Sequence, residues 1–254
     1  MTEWQCLTVK CQCLRMRLRN CGVLDIRDCT ASAQKVVSAL SAYDIPHEHL
    51  LTRDIRRRFP MFNVSDKDQA IYDPNGGLIR ADTALAAFQK MFKQFGGTLH
   101  DKELVRSVKP GSPAKVVTSC SIYAASSVVI AAGPWTGKFA SALGLSLRLQ
   151  PIKVIPMYWR IKPGQEEAHQ SGKFPCFIDA RGETKGSFDM YGLPCEEYPG
   201  LVKFMSVSLK FPEGHGFKLA PAVGKAVAEL VTGREPTYNM KPFKIGRFDT
   251  LAKL

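Results

Sequence analysis

The sequence predicts an α/β fold of the α+β kind, helices mixed with several sheets of short strands. Three observations carry that reading. Apolar residues recur at helical spacing in separate segments, at Val36, Val37 and Leu40 and again at Leu85, Phe88, Phe92 and Phe95. Between later segments lies Ser126-Ser127-Val128-Val129-Ile130-Ala131-Ala132-Gly133, apolar on both faces, the pattern of a strand covered on both sides. From residue 151 the texture changes to separated strand-like runs, the mark of a second, mostly antiparallel sheet. At 254 residues the chain can bury a full core, as one large domain or two smaller ones.

Taken in order, residues 1–21 are rich in Cys and Arg and show no periodicity. Residues 32–43 form the first helix; after a loop at Pro46, a short helix begins at Thr52 and stops at Phe59-Pro60. Tyr72-Asp73-Pro74-Asn75-Gly76-Gly77 is a turn signal. Asp82 then reads as the N-cap of a helix that Gly96-Gly97 ends. Residues 98–108 and 114–121 are short strands of a meander, and the apolar run from Ser126 stops at Gly133-Pro134-Trp135. Gly133 there either lets the backbone approach a ligand at a strand end or makes a plain tight turn. Residues 152–160, 174–178 and 203–209 are strands of the second sheet. A closing helix carries Leu219, Val223, Ala226, Val227, Leu230 and Val231 on one face, with Pro221 near its start and Gly233 past its end.

Apolar content of 45% and charged content of 23% are those of an ordinary globular protein. No apolar run reaches the roughly 18–20 residues that span a bilayer, and no secretory-signal pattern is present. The net charge of +12 permits anionic partners, but the basic residues are scattered. Their one dense cluster, Arg56-Arg57-Arg58, lacks interleaved aromatics and reads as a solvated face rather than a nucleic-acid site. Of the eight cysteines, Cys6, Cys11, Cys13 and Cys21 crowd into the first 21 residues. Cys11-x-Cys13 has no second pair and His47-x-His49 no completing ligand, so no metal site is expected and the thiols read as reduced.

The loop Gly214-His215-Gly216-Phe217-Lys218 poses a sharper question. A helix start already carries partial positive charge, so a lysine in the first turn either gathers charge for an anion or is merely solvated. No GxGxxG, Walker A or GxSxG occurs in the chain.

Several stretches together resemble the FAD-dependent sarcosine and pipecolate oxidases, of the D-amino-acid-oxidase-like class. They are RRRFPMF at 56–62, DPNGGLIRADTALAAFQ at 73–89 and VVIAAGPWTGKFASALGLSLRLQPIKVIPMYWR at 128–160. FPCFID at 174–179, MYGLPCEEYPGLVK at 190–203 and GHGFKLAPAVGKAVAELVTGREPTYNMKPFKIGRF at 214–248 complete the set. The resemblance implies an incomplete FAD-binding Rossmann-like domain plus a mostly antiparallel substrate-domain sheet. It divides the chain into an atypical N-terminus at 1–21, substrate-domain segments at 22–70 and 151–210, FAD-binding segments at 71–150 and 211–248, and a tail at 249–254.

The same resemblance implies site residues. Lys203 matches a lysine beside the flavin that promotes reaction with oxygen, Lys218 one that pairs with the substrate carboxylate, and Tyr191 a tyrosine lining the substrate pocket. Val105, Ala132, Gly133, Trp135, His215 and Gly216 match positions beside FAD. The implied reaction oxidises a small secondary amino acid at the flavin and reduces O2 to peroxide. Ala252-Lys253-Leu254 resembles the peroxisomal Ser-Lys-Leu address, implying a peroxisomal import receptor as a partner. The implied protein is a monomer with neither a nucleic-acid nor a membrane partner. Two family features are missing: the GxGxxG unit, and a segment between Lys203 and Gly214 that holds the flavin-tethering cysteine. The chain is therefore expected to be a truncated form of low oxidase activity, the alternative being a non-catalytic remnant or a protein-interaction module.

Overall fold

A computed structural model of the protein describes residues 18–28, 30–147, 149–151, 153–170, 172–181, 189–207 and 216–248. The chain divides into two compact units, one built from 1–88 and 153–214 and the other from 89–152 and 215–254.

The first unit is organised by a seven-stranded sheet. Its strands, in chain order, are β2 (Val23–Arg27), β3 (Glu48–Leu51), β4 (Gln69–Asp73), β9 (Met157–Arg160), β10 (Cys176–Asp179), β11 (Asp189–Pro194) and β12 (Leu201–Val207). They lie in the order β3-β4-β2-β10-β11-β12-β9. Only β2 and β10 pair in parallel, and every other neighbouring pair is antiparallel. The mostly antiparallel second sheet is thus present, and it also recruits three strands from the first half of the chain. A separate ribbon joins β1 (Leu18–Asn20) to β5 (Gly77–Ile79).

Alternation along the strands gives this sheet two unlike faces. Leu24 and Ile26 of β2, Leu50 of β3, Ala70 of β4, Phe177 of β10 and Val202 of β12 point into one core. The short helix α2 (Thr52–Arg58) closes that core with Ile55, which is fully buried, followed by Phe59 and Val64. Phe62 stacks on Phe174 and meets Phe177 edge-on at 5.0 Å between centroids. Helix α1 (Thr30–Ala42) buries Ala33, while Val36, Val37 and Leu40 are half-buried.

The arginines on α2 have carboxylate partners within the unit. Arg56 pairs with Asp66 at 2.9 Å, Arg57 with Asp54 at 3.1 Å and Arg58 with Glu48 at 2.6 Å. His49 bonds Gln69 at 2.7 Å and His47 bonds the Ile45 carbonyl at 2.8 Å, so both have ordinary structural partners.

Helix α3 (Ala81–Gln94) corrects two expectations. Asp82 is the second helical residue, not the N-cap, and its carboxylate is held by Arg80 through bonds of 3.1 and 2.7 Å. The buried stripe is Ala84 and Ala87 with Phe88 beside them, whereas Leu85, Phe92 and Phe95 are 52, 50 and 83% exposed. Small residues allow close approach at Ala84 and Ala87, and the bulky Leu85, Phe92 and Phe95 stay exposed.

The second unit contains the meander β6 (Val105–Lys109), β7 (Ala114–Thr118) and β8 (Ile122–Ala125), antiparallel throughout. It continues through a 3₁₀ turn at Gly133–Trp135 into α4 (Thr136–Ala142), and includes α5 (Gly216–Val231). The expected strand at 126–133 does not form: these residues take no strand conformation, and Val129 is 54% exposed. A buried strand needs hydrogen-bonding neighbours, and no described strand pairs with this one. Helix α5 starts at Gly216, so Pro221 falls inside it rather than near its start. Its expected apolar face is largely open, with Leu219, Val223 and Leu230 each more than half exposed and Ala226 buried. Among the described residues no helix is long and apolar enough to cross a membrane.

One buried ionic cluster ties the core loop to the sheet. Asp68, 2% exposed, accepts the Ser65 N–H at 2.8 Å and Arg181 Nη1 at 3.1 Å, and Arg181 also grips Asp179 at 2.6 Å. Burial works to raise the Asp68 pKa, but the Ser65 and Arg181 bonds outweigh it and the carboxyl is lowered. A depressed native pKa stabilises the fold above the unfolded value, about 3.9, and that contribution is lost as pH falls through the native pKa. Asp68→Asn is therefore expected to cost about 1–3 kcal/mol at pH 7, with the gap to wild type narrowing below about pH 4. Urea denaturation across that range checks it; a gap independent of pH contradicts it.

Candidate functional site

The sheet face opposite the core brings together two of the predicted residues. In register, Ile178 of β10 lies beside Tyr191 of β11, which lies beside Met205 of β12. One step along, Leu193 lies beside Lys203, and Lys203 beside Tyr158 of β9. Tyr191 and Lys203 are thus diagonal neighbours on adjacent strands of one face. Strand period alone puts them there, since residues 191 and 193, like 203 and 205, point the same way.

Lys203 is held from two sides. Its Nζ is 3.7 Å from Glu197 Oε1 and 5.5 Å from the centroid of the Tyr158 ring. Glu197 in turn accepts from the Cys195 thiol at 3.5 Å, and Tyr198 meets Tyr158 edge-on at 5.3 Å. With side-chain exposures of 20% for Lys203 and 27% for Glu197, the pair is partly screened, so it aims the ammonium more than it stabilises the fold. The arrangement places an oriented cation on a surface of tyrosine rings.

In the second unit four other predicted residues gather around one cavity. Val105 of β6 and Ala132, Gly133 and Trp135 line a space of about 830 Å³, with Lys138 and Phe139 of α4 on its wall. Its lining is largely aliphatic and aromatic, and among the described residues Lys138 is its only charged side chain. Gly133 has φ of 52°, and open space lies where a Cβ would project. Its backbone can therefore be approached closely from the cavity.

Lys218 occupies the first turn of α5 and Gly216 its first position. His215 and Ala252, Lys253 and Leu254 lie outside the described residues, as do Cys6, Cys11 and Cys13. A more polar cleft of about 730 Å³ is bordered by Arg19, Arg80, His169, Cys195 and Glu196, and contains none of the predicted residues. Among the described residues no cluster of His, Cys, Asp and Glu could hold a metal ion.

Comparison with known proteins gives this arrangement its context. The sequence profile of the family described as FAD dependent oxidoreductase matches residues 10–194. The chain belongs to that family. This FAD-dependent oxidoreductase is 31% identical to peroxisomal sarcosine oxidase of Mus musculus, over 86% of its own length and 72% of that protein's. It is 30% identical to peroxisomal sarcosine oxidase of Homo sapiens, over 84% and 71% respectively. Its fold is similar to that of glycine oxidase from Geobacillus kaustophilus, with a TM-score of 0.74 at 17% identity, covering 95% of this chain and 80% of that one.

Sequence reasoning assigned no role to Glu197, Tyr158 or Lys138. Glu197 stands within the MYGLPCEEYPGLVK stretch, but only the turn at 198–200 folds it back toward Lys203. Tyr158 is 45 positions from Lys203 and reaches it only through the β12–β9 register. Neither contact has a local signal.

Gly192 lies between Tyr191 and Leu193 on the opposite, core-facing side. A Cβ there would stand 2.5 Å from Phe177 Cε1 and 3.1 Å from the Lys203 carbonyl. Gly192→Ala is expected to displace Phe177 and the β11–β12 pairing and to cost about 1–3 kcal/mol. Thermal and urea unfolding test this, and an unchanged midpoint in both contradicts it.

Proposed function

We propose that this oxidoreductase oxidises the CH–NH bond of a small secondary amino acid and passes the electron pair to dioxygen, which leaves as hydrogen peroxide. The observation that carries the reading is the oriented Lys203 beside Tyr191 and Tyr158 on the open sheet face of a chain in this family. Bound FAD would supply the acceptor for the substrate's electron pair.

The chain's own residues fit the adenosine end of that cofactor. The aliphatic and aromatic walls around Val105, Ala132 and Trp135 suit a purine, Gly133 offers close backbone approach, and Lys138 offers a cation for a phosphate. His215 and Gly216 are proposed on the flavin side by resemblance.

Lys203 acts as a catalytic cation, its ammonium stabilising negative charge that develops on dioxygen. Glu197 keeps it aimed while partly offsetting its charge. Tyr191, on the same face as Lys203, lines the substrate's place; the role of Lys218 toward a carboxylate is proposed by resemblance alone. Sarcosine-like and pipecolate-like amines both have this chemistry, a carboxylate one carbon from a secondary nitrogen. The name of the mouse and human relatives, together with the tail Ala252-Lys253-Leu254, supports delivery to peroxisomes by an import receptor, and a monomer is proposed by resemblance alone.

Between Lys203 and Gly214 the chain carries FMSVSLKFPE, with no cysteine to tether a flavin. Flavin is therefore expected to be retained reversibly and activity to be low. The test adds FAD to purified protein and records anaerobic bleaching by sarcosine or pipecolate, then peroxide release in air. Amine-dependent bleaching, with colour lost on gel filtration, is the expected result. Lys203→Met should leave bleaching intact and slow peroxide release on the order of 100-fold. Failure of both amines to bleach flavin-loaded protein contradicts the proposal; colour that survives denaturation contradicts reversible retention.

A further inference from the structure

Among the four described cysteines, two face each other. Cys21 Sγ and Cys176 Sγ are 3.6 Å apart, close enough for one thiol to donate to the other, although the residues are 155 positions apart in the chain. Backbone pairing holds them there. The Cys176 N–H donates to the Gly22 carbonyl at 3.0 Å, and Cys176 registers beside Val23 in the parallel β2–β10 ladder. Cys120 sits instead beside the Ser119 hydroxyl, and Cys195 beside the Glu197 carboxylate.

We propose that Cys21 and Cys176 are a peroxide-sensitive dithiol, a modification site whose oxidised form is a disulfide joining the start of β2 to β10. The electrostatics favour Cys21 as the attacking sulfur. The hydrogen bond from Cys176 pulls the Cys21 pKa down to about 7 against burial and the nearby Glu196 charge, which both raise it. Cys176 is raised, chiefly because it holds the shared proton against the Cys21 sulfur and also because it is buried. Cys195 is pushed up by burial and by the Glu197 carboxylate, and so is a poorer nucleophile.

The step balances. The Cys21 thiolate attacks one peroxide oxygen, the O–O bond breaks, and the departing hydroxide takes up a proton to become water, leaving Cys21 as a sulfenic acid. The Cys176 sulfur then attacks the Cys21 sulfur, the S–O bond breaks, and water leaves with the Cys176 proton. Two thiols lose one electron pair between them and one peroxide becomes two waters. A peroxide is also the class of product released by the proposed reaction, but the thiol chemistry does not depend on that reading.

The consequence reaches the candidate site. Strand alternation puts Cys176 on the same face as Ile178, which registers with Tyr191, the diagonal neighbour of Lys203, so the disulfide would form two strands from Lys203 on the same sheet face. It would also close a very long loop, which restricts the unfolded chain.

The experiment treats full-length protein, free of flavin, with added hydrogen peroxide, then alkylates, digests and maps peptides without reduction. The expected product is a Cys21–Cys176 cross-link reversed by dithiothreitol, with Cys120 and Cys195 alkylated. The midpoint of thermal unfolding should rise by roughly 5–15 °C. In Cys176→Ser the cross-link should vanish and Cys21 be trapped by dimedone as the sulfenic acid. Two reduced thiols after treatment, a Cys21 sulfinic acid in wild type, or cross-links to other cysteines instead would overturn the proposal. Because flavin and amine are absent, neither result depends on oxidase activity.

Discussion

The parallel pairing of β2 with β10 is the constraint on which the first unit depends. It brings residues 23–26 beside residues 176–179 and places the hairpins on either side of the join into one seven-stranded sheet. Closing a loop of that length costs chain entropy, though the cost grows only slowly with length. What offsets it is burial of Leu24, Ile26 and Phe177 on one face, none of them more than 6% exposed. A slip of one residue in this ladder would turn Phe177 outward and Ile178 inward, so the hydrophobic pattern fixes the register. The same register sets Cys176 beside Val23 and carries Tyr191 and Lys203 onto the open face.

The site inherits its geometry from that sheet rather than from loops. Lys203 points where strand alternation sends it, and Glu197 and Tyr158 narrow the directions available to the ammonium. A cation aimed in advance needs less reorganisation when charge develops nearby. The partner carboxylate also offsets that cation, so the chain balances orientation against available charge. In the second unit the cavity around Gly133 depends on different physics, a glycine in a left-handed conformation beside aliphatic walls.

Much of the fold was legible in local sequence. Helices at 30–42, 52–58 and 216–231 and strands at 176–179 and 201–207 lie where apolar spacing and turn residues indicate them. The failures share a cause. Residues 126–133 have the composition of a central strand, but a strand is completed by its neighbours, and no described strand pairs with them. In α3 the aromatic residues had the right period, yet Ala84 and Ala87 are buried, because close packing is decided by what lies opposite. Local spacing likewise says nothing of Glu197 and Tyr158 meeting at Lys203, or of Cys21 meeting Cys176. The grouping of Val105 with Ala132, Gly133 and Trp135 came from resemblance, and the cavity gathers the same four.

Native-state hydrogen exchange tests the central claim most directly, that the β2–β10 ladder organises the first unit. The account predicts that the Cys176 and Ala180 amides, bonded to the Gly22 and Ile26 carbonyls, exchange only with global unfolding of the unit, while amides at 127–131 exchange within the dead time. Early exchange at Cys176 and Ala180, with the outer strands β9 and β3 protected longer, would contradict it.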